Sequence, residues 1–384
     1  MRDNYTEIEE LYDLRQQMSH NETLRHCAFQ AINFEKCGFP LENYRFEDCL
    51  FMGCIIPPRM FYAIDEACIV LPRVKMPYKV FPNKLYNAQS LYLHYKPGYH
   101  ETYYTCYDTI VYDRYMAMGK ETGDIKETLC RLLHDHSIKN AIDSFIADYD
   151  EKDIVAVMGG HAVKRTEPIY RQIAEISKRL TELGKLMVSG GGPGAMEAVH
   201  LGAWMAGRSE AELEDALSLL TPTPTFREKG WLTTAWQVMD KYPRDPQSHS
   251  LGIPTWFYGH EPATPFASEI AKFFDNSLRE DCIISLPKGG IIYTPGSAGT
   301  FQEIFQDAAQ NHYKTVGIAS PMVFLGKQYY TEEVPIYPLL HDLQERGKYQ
   351  NLLLSITDET DDVIRHLLDF HRPFHQSSAQ SFEY

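Results

Sequence analysis

Two runs of small residues carry most of the chemistry this chain could perform. The first is Gly190-Gly191-Gly192-Pro193-Gly194, followed by Ala195, Met196 and Glu197. The second is Pro295-Gly296-Ser297-Ala298-Gly299-Thr300, with Glu303 three residues on. Three successive glycines and a fourth two residues later let a backbone approach a ligand closely. Such turns direct backbone N–H groups and the positive end of a helix at one spot, an arrangement that suits a phosphate or another anion. A carboxylate in the first turn of such a helix is stabilised in its ionised form, which is the expectation for Glu303. Glu197 could touch the same ligand or simply be solvated at the surface.

These runs need elements to hold them. Ile291-Ile292-Tyr293 is a short apolar, β-prone run ended by Pro295-Gly296, and it reads as a buried strand. After the turn, Phe301, Ile304, Phe305, Ala308, Ala309 and His312 share one face of a helix. Lys185 to Ser189 is a second strand leading into the triple glycine. Ahead of it, Ile154 to Met158 is a continuous apolar run of the kind found in a parallel strand covered on both faces. Gly159-Gly160-His161 turns out of that strand, so Gly160 is expected to line the same cleft. Ile169, Ile173, Ile176, Leu180 and Leu183 then step along one helix face, which Gly184 ends. Strand, helix and strand in this order open a doubly wound, Rossmann-like parallel sheet with its glycine turns on one edge.

Taken together, these residues resemble the LOG (Lonely Guy) family of phosphoribohydrolases, sometimes mislabelled lysine decarboxylases. The family pattern G-G-G-x-x-G-x-M falls on Ser189 to Met196, with Ser189 in place of the first glycine. The pattern P-G-G-x-G-T-x-x-E falls on Pro295 to Glu303, with Ser297 replacing a glycine. The resemblance covers the chain from residue 149 onward. It implies a phosphate cradle from the N–H groups of Gly191, Gly192, Gly194, Gly296, Gly299 and Thr300, with Met196, Pro295 and Ser297 in the same turns. It also implies an arginine upstream that works with the motif glutamate on the ribose. Its counterpart is Arg279, although the Met-His-x-Arg-Lys run that surrounds it in the family is absent here. By resemblance the partner is a nucleoside monophosphate, and the protein forms a homodimer or higher homo-oligomer. Asp307, Gln310 and His312, on the motif helix, could cross to such a partner subunit.

The reaction this implies is hydrolysis of the bond between a base and ribose 5-phosphate, with AMP or an N6-substituted AMP as the favoured substrate. The alternative is a non-catalytic nucleotide sensor that uses the same cleft. His161 and His260 follow strand ends on the expected edge, and each could act as a general acid for the departing base. No ligand spacing such as H-E-x-x-H or D-x-D-x-D-G occurs, so neither a metal nor any other cofactor is expected. Nothing in the glycine motifs supplies a pyridoxal-binding lysine.

The composition fits this reading. The chain has 384 residues, 44% hydrophobic and 23% charged, and carries a formal net charge of −15. Two domains are the reasonable expectation at this length. Wide contact with nucleic acid or an anionic membrane needs a basic surface, which the charge argues against. No run approaches the roughly 20 apolar residues of a membrane span, and the acidic N-terminus lacks a signal-peptide core, so a cytoplasmic location is expected. Of eight cysteines, seven precede residue 150 without any C-x-x-C pair, which suggests reduced core thiols.

Residues 1–148 form a separate α+β module whose role is not legible, with residues 149–384 as the Rossmann-like domain. Within the module a short amphipathic helix is expected over 3–19. A five-residue beat follows, with Phe29, Phe34, Phe39 and Tyr44 and then Phe46 and Phe51. Over 27–54 it resembles the pentapeptide-repeat coil; irregular strands are the other reading. Strands are expected at 67–71 and 109–112 and a helix over 120–148. In the larger domain, 207–248 reads as an insertion or long lid containing a helix at 211–220. A strand at 251–258, a helix at 267–274, and a tail of strands near 316–325 and 352–354 with helices near 337–346 and after 357 complete the expectation.

Overall fold

The structure, a computed structural model, describes residues 5–259 and 261–371. The chain divides into two compact units.

The first unit comprises Met1–Leu85, Tyr107–Ala147 and Phe273–Asp275. Its short strands are β1 (Thr6–Ile8), β2 (Thr23–Arg25), β3 (Cys27–Gln30), β4 (Arg45–Glu47), β5 (Leu50–Met52) and β6 (Ile69–Leu71). Every pairing is parallel, in the orders β1-β3-β5-β6 and β2-β4. Thr23 faces Arg45, Ala28 faces Leu50 and Asn33 faces Ile55, so three sides of the chain advance together by 22 residues per turn. That is a coil. Its corners repeat at the same interval: His26 and Asp48 have φ of 51° and 49°, and Ala31 and Gly53 have 56° and 64°. The bulky beat fills its centre, where Phe29, Phe34, Phe46 and Phe51 are all fully buried and Phe29 stacks on Phe51 at 5.0 Å. Phe39 and Tyr44 pack against that core from outside.

The helix expected over 3–19 is α1 (Leu11–His20), which adds Leu14 and Met18 to the same core. Residues 6–8 pair with β3 instead, because Ile8 is buried there. The next helix, α2 (Ala88–Leu91), belongs to the second unit; the first continues with α3 (Tyr107–Met118) and α4 (Ile125–Ile146). The strand expected at 109–112 is thus helical. Its β-prone residues lie inside a longer segment that buries Val111 and Tyr115 one turn apart. Glu127 on α4 is buried between Arg114 and Arg131, and the Asp135 carboxylate accepts from the N–H groups of Phe274 and Asp275.

The second unit comprises Tyr86–Cys106, Asp148–Lys272 and Asn276–Tyr384. Residues 86–106 were expected in the N-terminal module. They are held here by the antiparallel bridge of Tyr86 to Ile270, by Tyr92, whose hydroxyl donates to the Ala263 carbonyl, and by Tyr95 bonded to Thr233 at 3.0 Å. The sheet contains β7 (Ile154–Met158), β8 (Leu186–Ser189), β9 (Ser250–Gly252), β10 (Glu269–Ile270), β11 (Gly290–Tyr293), β12 (Pro321–Leu325) and β13 (Leu353–Thr357). All seven are parallel, in the order β10-β9-β8-β7-β11-β12-β13. The order reverses between β7 and β11, the topological switch point of a doubly wound fold. Strands β7, β8, β11 and β12 are buried along their whole length, as continuous apolar runs require.

Besides α2, the helices of this unit are α5 (Pro168–Glu182), α6 (Ala195–Trp204), α7 (Glu210–Leu220), α8 (Trp231–Lys241), α9 (Asn276–Ser285), α10 (Ala298–Tyr313), α11 (Ile336–Glu345) and α12 (Thr360–His371). Pro168 opens α5, which buries Ile173, Ile176 and Leu180. The stretch over 207–248 holds α7 and α8, which bury Leu213, Leu217, Trp231 and Val238, so it is packed. The helix expected at 267–274 is instead the short strand β10, and the strand expected at 251–258 shrinks to β9. Both runs are buried except at Phe257, Tyr258 and Glu269, a situation in which periodicity cannot separate helix from strand. Among the described residues, no helix is long and apolar enough to cross a membrane. All eight cysteines are free, seven of them buried.

Candidate functional site

The loops that follow β7, β8 and β11 meet at the switch point and line one cleft of about 460 Å³. That volume lies within the range of small-molecule sites. Gly160, His161, Gly192, Met196, Arg279, Ser297, Gly299, Thr300 and Glu303 all face it. Gly191, Gly194, Glu197, Pro295 and Gly296, also expected to contact a ligand, do not line it. His260 lies outside the described residues.

The turn after β8 is tied back to the protein at several points. Gly194 has φ of 72°, and a Cβ there would meet the carbonyl oxygens of Gly160 and His161 at 2.6 Å, so the position admits only glycine. The Gly191 N–H donates to Ser189 Oγ at 3.1 Å and is spent on the protein. Ser189 Oγ also bonds His200 Nε2 at 2.8 Å, and His200 Nδ1 bonds Ser250 Oγ at 2.9 Å. Burial pushes His200 down to about 3, so the ring is neutral and ties β8 to β9. The serine that departs from the glycine pattern is therefore the anchor of this turn.

Glu197 is neither solvated nor in the cleft. It is fully buried and paired with Arg165, whose Nε donates at 2.9 Å. Arg165 also donates to Thr223 Oγ1 at 2.9 Å, Thr234 Oγ1 at 2.8 Å and the Trp231 carbonyl at 3.2 Å. The first glycine helix is thereby locked to the start of α8.

The turn after β11 is arranged differently. Helix α10 begins at Ala298, its N-cap Ser297 makes no side-chain capping bond, and the first bond back into the turn is Phe301 N–H to Ser297 O at 3.1 Å. The N–H groups of Ala298, Gly299 and Thr300 are the ones a helix start leaves without intrahelical acceptors, and these residues line the cleft. Gly296 makes room for Thr300, whose Oγ1 would lie 2.1 Å from a Cβ at that position. Two tyrosines fix the turn from behind: Tyr329 donates to Gly296 O at 2.6 Å and Tyr330 to Thr294 O at 2.7 Å.

Glu303 is in the second turn of α10, not the first, and burial pushes its carboxyl up to about 7. Desolvation outweighs the helix dipole at this depth, so the carboxyl is raised toward neutrality and not held far below it. Arg279, on α9, opposes the rise and Glu280 adds to it. Arg279 Nη1 lies 3.9 Å from Glu303 Oε1, and its Nε is held by the Ile253 carbonyl at 2.8 Å. A Cβ on Gly190 would fall 2.5 Å from Arg279 Nη2, so the triple-glycine turn makes the space that the guanidinium occupies.

Glu280 lines the same cleft and accepts from Gln302 at 2.6 Å, Asn276 at 2.6 Å and Tyr258 at 2.9 Å. One turn beyond Glu303, Asp307 is buried and accepts from Tyr293 at 2.7 Å, and burial pushes it up to about 7. It faces inward, and so cannot reach a second subunit. His312 Nδ1 accepts from the Gln350 N–H at 2.9 Å. Among the described residues, no group of three or more histidine, cysteine or acidic side chains could hold a metal ion.

Sequence reasoning missed Arg165, His200, Glu280, Tyr329 and Tyr330. The only local signal was for Glu280, adjacent to Arg279; the others reach the site from distant segments.

No family model matches the chain, and no curated protein is significantly similar to it. Among solved structures it is similar to the molybdenum cofactor binding protein of the phototrophic bacterium Rippkaea orientalis. That likeness has 13% identity and a TM-score of 0.35, over 57% of this chain and 97% of the other. A structural-genomics target, TM1055, is similar at 18% identity with a TM-score of 0.37, over 56% of this chain and 98% of the other. The assignment of an α/β, doubly wound, Rossmann-like fold rests on the strand order itself.

Proposed function

We propose that this protein hydrolyses the N-glycosidic bond of nucleoside 5′-monophosphates, purine nucleotides foremost, to free base and ribose 5-phosphate. One observation carries the reading: an acid with a carboxyl near 7, Glu303, lies beside Arg279 in the cleft that the open start of α10 also faces.

The N–H groups at the start of α10 are the natural seat for the phosphate. A carboxyl near neutrality suits general base work, since it is both ionised and able to take a proton at working pH. Ionised Glu303 orients a water and accepts its proton as the oxygen bonds to C1′. The C1′–N bond breaks, its electron pair goes to the base, and His161 at the cleft wall can deliver the proton that neutralises it. Arg279 holds Glu303 and the ribose hydroxyls in register, and the carboxylates of Glu280 and Glu303 favour the positive charge that develops at C1′. A homodimer is part of the same proposal.

The test is incubation of the pure protein with AMP, GMP, CMP, UMP and an N6-substituted AMP, with assays for free base and ribose 5-phosphate. Stoichiometric release of both supports hydrolysis. Tight nucleotide binding without release points to a sensor instead, and neither binding nor release overturns the reading.

A further inference from the structure

A second cavity, of about 280 Å³, lies in the same unit and has no part in the chemistry above. Its walls include Tyr95, Tyr103, Phe226, Trp231, Leu232 and Pro262, an aromatic and aliphatic set drawn from three separate stretches of chain. Surfaces of this composition take flat, weakly polar rings.

Two features set this pocket beside the catalytic cleft, and a third braces it to the first glycine helix. The His161 ring, on the cleft wall, meets the Phe226 ring edge-on at 6.4 Å. Glu261 lines the cleft and the next residue, Pro262, lines the pocket. Arg165 grips Glu197 on the glycine helix and stacks over Trp231 at 4.8 Å. The pocket is thus a neighbouring chamber on the side of the cleft marked by His161, braced to the first glycine turn.

We propose that this aromatic pocket receives the base end of the nucleotide, while the cleft holds its ribose and phosphate. The inference rests on the nucleotide reading above and adds the subsite that selects the base. The occupant is a neutral heteroaromatic ring, because the walls offer aromatic faces for stacking and the Arg227 guanidinium already lies over Phe226 at 5.5 Å. Glu228, also in the lining, offers a carboxylate to an exocyclic amine or a ring N–H, a donor that adenine and guanine both carry.

Phe226→Ala is the informative variant, since Phe226 is half-buried at the mouth and its loss leaves the core alone. Calorimetry with AMP, GMP and ribose 5-phosphate on the full chain is the readout. Stacking of one base on an aromatic side chain implies that Phe226→Ala weakens AMP and GMP by about tenfold or more. Ribose 5-phosphate affinity should be unchanged, which also shows that the variant folds, and Phe226→Tyr should restore the loss. If wild type binds nucleotide and sugar phosphate and Phe226→Ala binds both as well as wild type, the pocket assignment is wrong and the nucleotide reading stands. If wild type binds none of the three, both fall together.

Discussion

The two glycine turns share a sequence pattern and a position at the strand ends, yet they put their polar groups to opposite uses. After β8, the Gly191 N–H is taken by Ser189, Ser189 by His200, and Glu197 by Arg165. After β11, Ser297 leaves the start of α10 uncapped, and Glu303 keeps a partly neutralised charge with Arg279 3.9 Å away. The first turn is built as a brace, and the second presents the N–H groups of its helix start to the cleft. The motif alone does not separate the two roles; what fills the N–H groups and faces the acid does.

The comparison can be broken first at the brace. Arg165→Ala strands Glu197 as a buried unpaired charge, and should cost about 3–5 kcal/mol in denaturant unfolding. A smaller loss would mean that the pair is not the lock described.

The turn after β11 carries its signature in pH. Between the ordinary glutamate value of 4.5 and about 7, folded Glu303 keeps a proton that the unfolded chain has released. Its contribution to stability is therefore full at low pH and falls as the pH rises to 7, by about 3 kcal/mol in all. Unfolding curves from pH 5 to 8 should show that fall, added to one of the same sign from buried Asp307, and Glu303→Gln should remove its share.

Ser189→Ala leaves His200 Nε2 and the Gly191 N–H without their partner and should cost about 1–3 kcal/mol of stability. The smallest effect sharpens the contrast most. Ser297→Asp supplies the missing cap, and should stabilise the fold by about 1 kcal/mol while weakening binding of ribose 5-phosphate, because the new carboxylate competes for the same N–H groups. If both properties move in the same direction, the α10 start is not the phosphate seat.

The strand-turn-helix units were legible because continuous apolar runs, glycine turns and helical periodicity are local signals. Ile154–Met158 and the stripe on α5 are examples. Arg279 and Glu303 were legible as residues through motif position. The state of Glu303 was not, since it depends on burial by segments far away in sequence. Arg165, His200 and Tyr329 act across separations that no spacing rule records. The coil of the first unit shows the intermediate case: the phenylalanine beat was visible, but only the 22-residue register decides between a coil and irregular strands. Residues 109–112 misled because four β-prone residues do not reveal the longer helix around them.

The central claim of the proposal is that Glu303 is the working base of a nucleotide cleft. Its most direct test compares wild type and Glu303→Gln for AMP binding and for single-turnover release of adenine and ribose 5-phosphate. The account predicts unchanged or tighter binding with release slowed by about 10²–10⁴-fold. Equal release rates in the two proteins would contradict it.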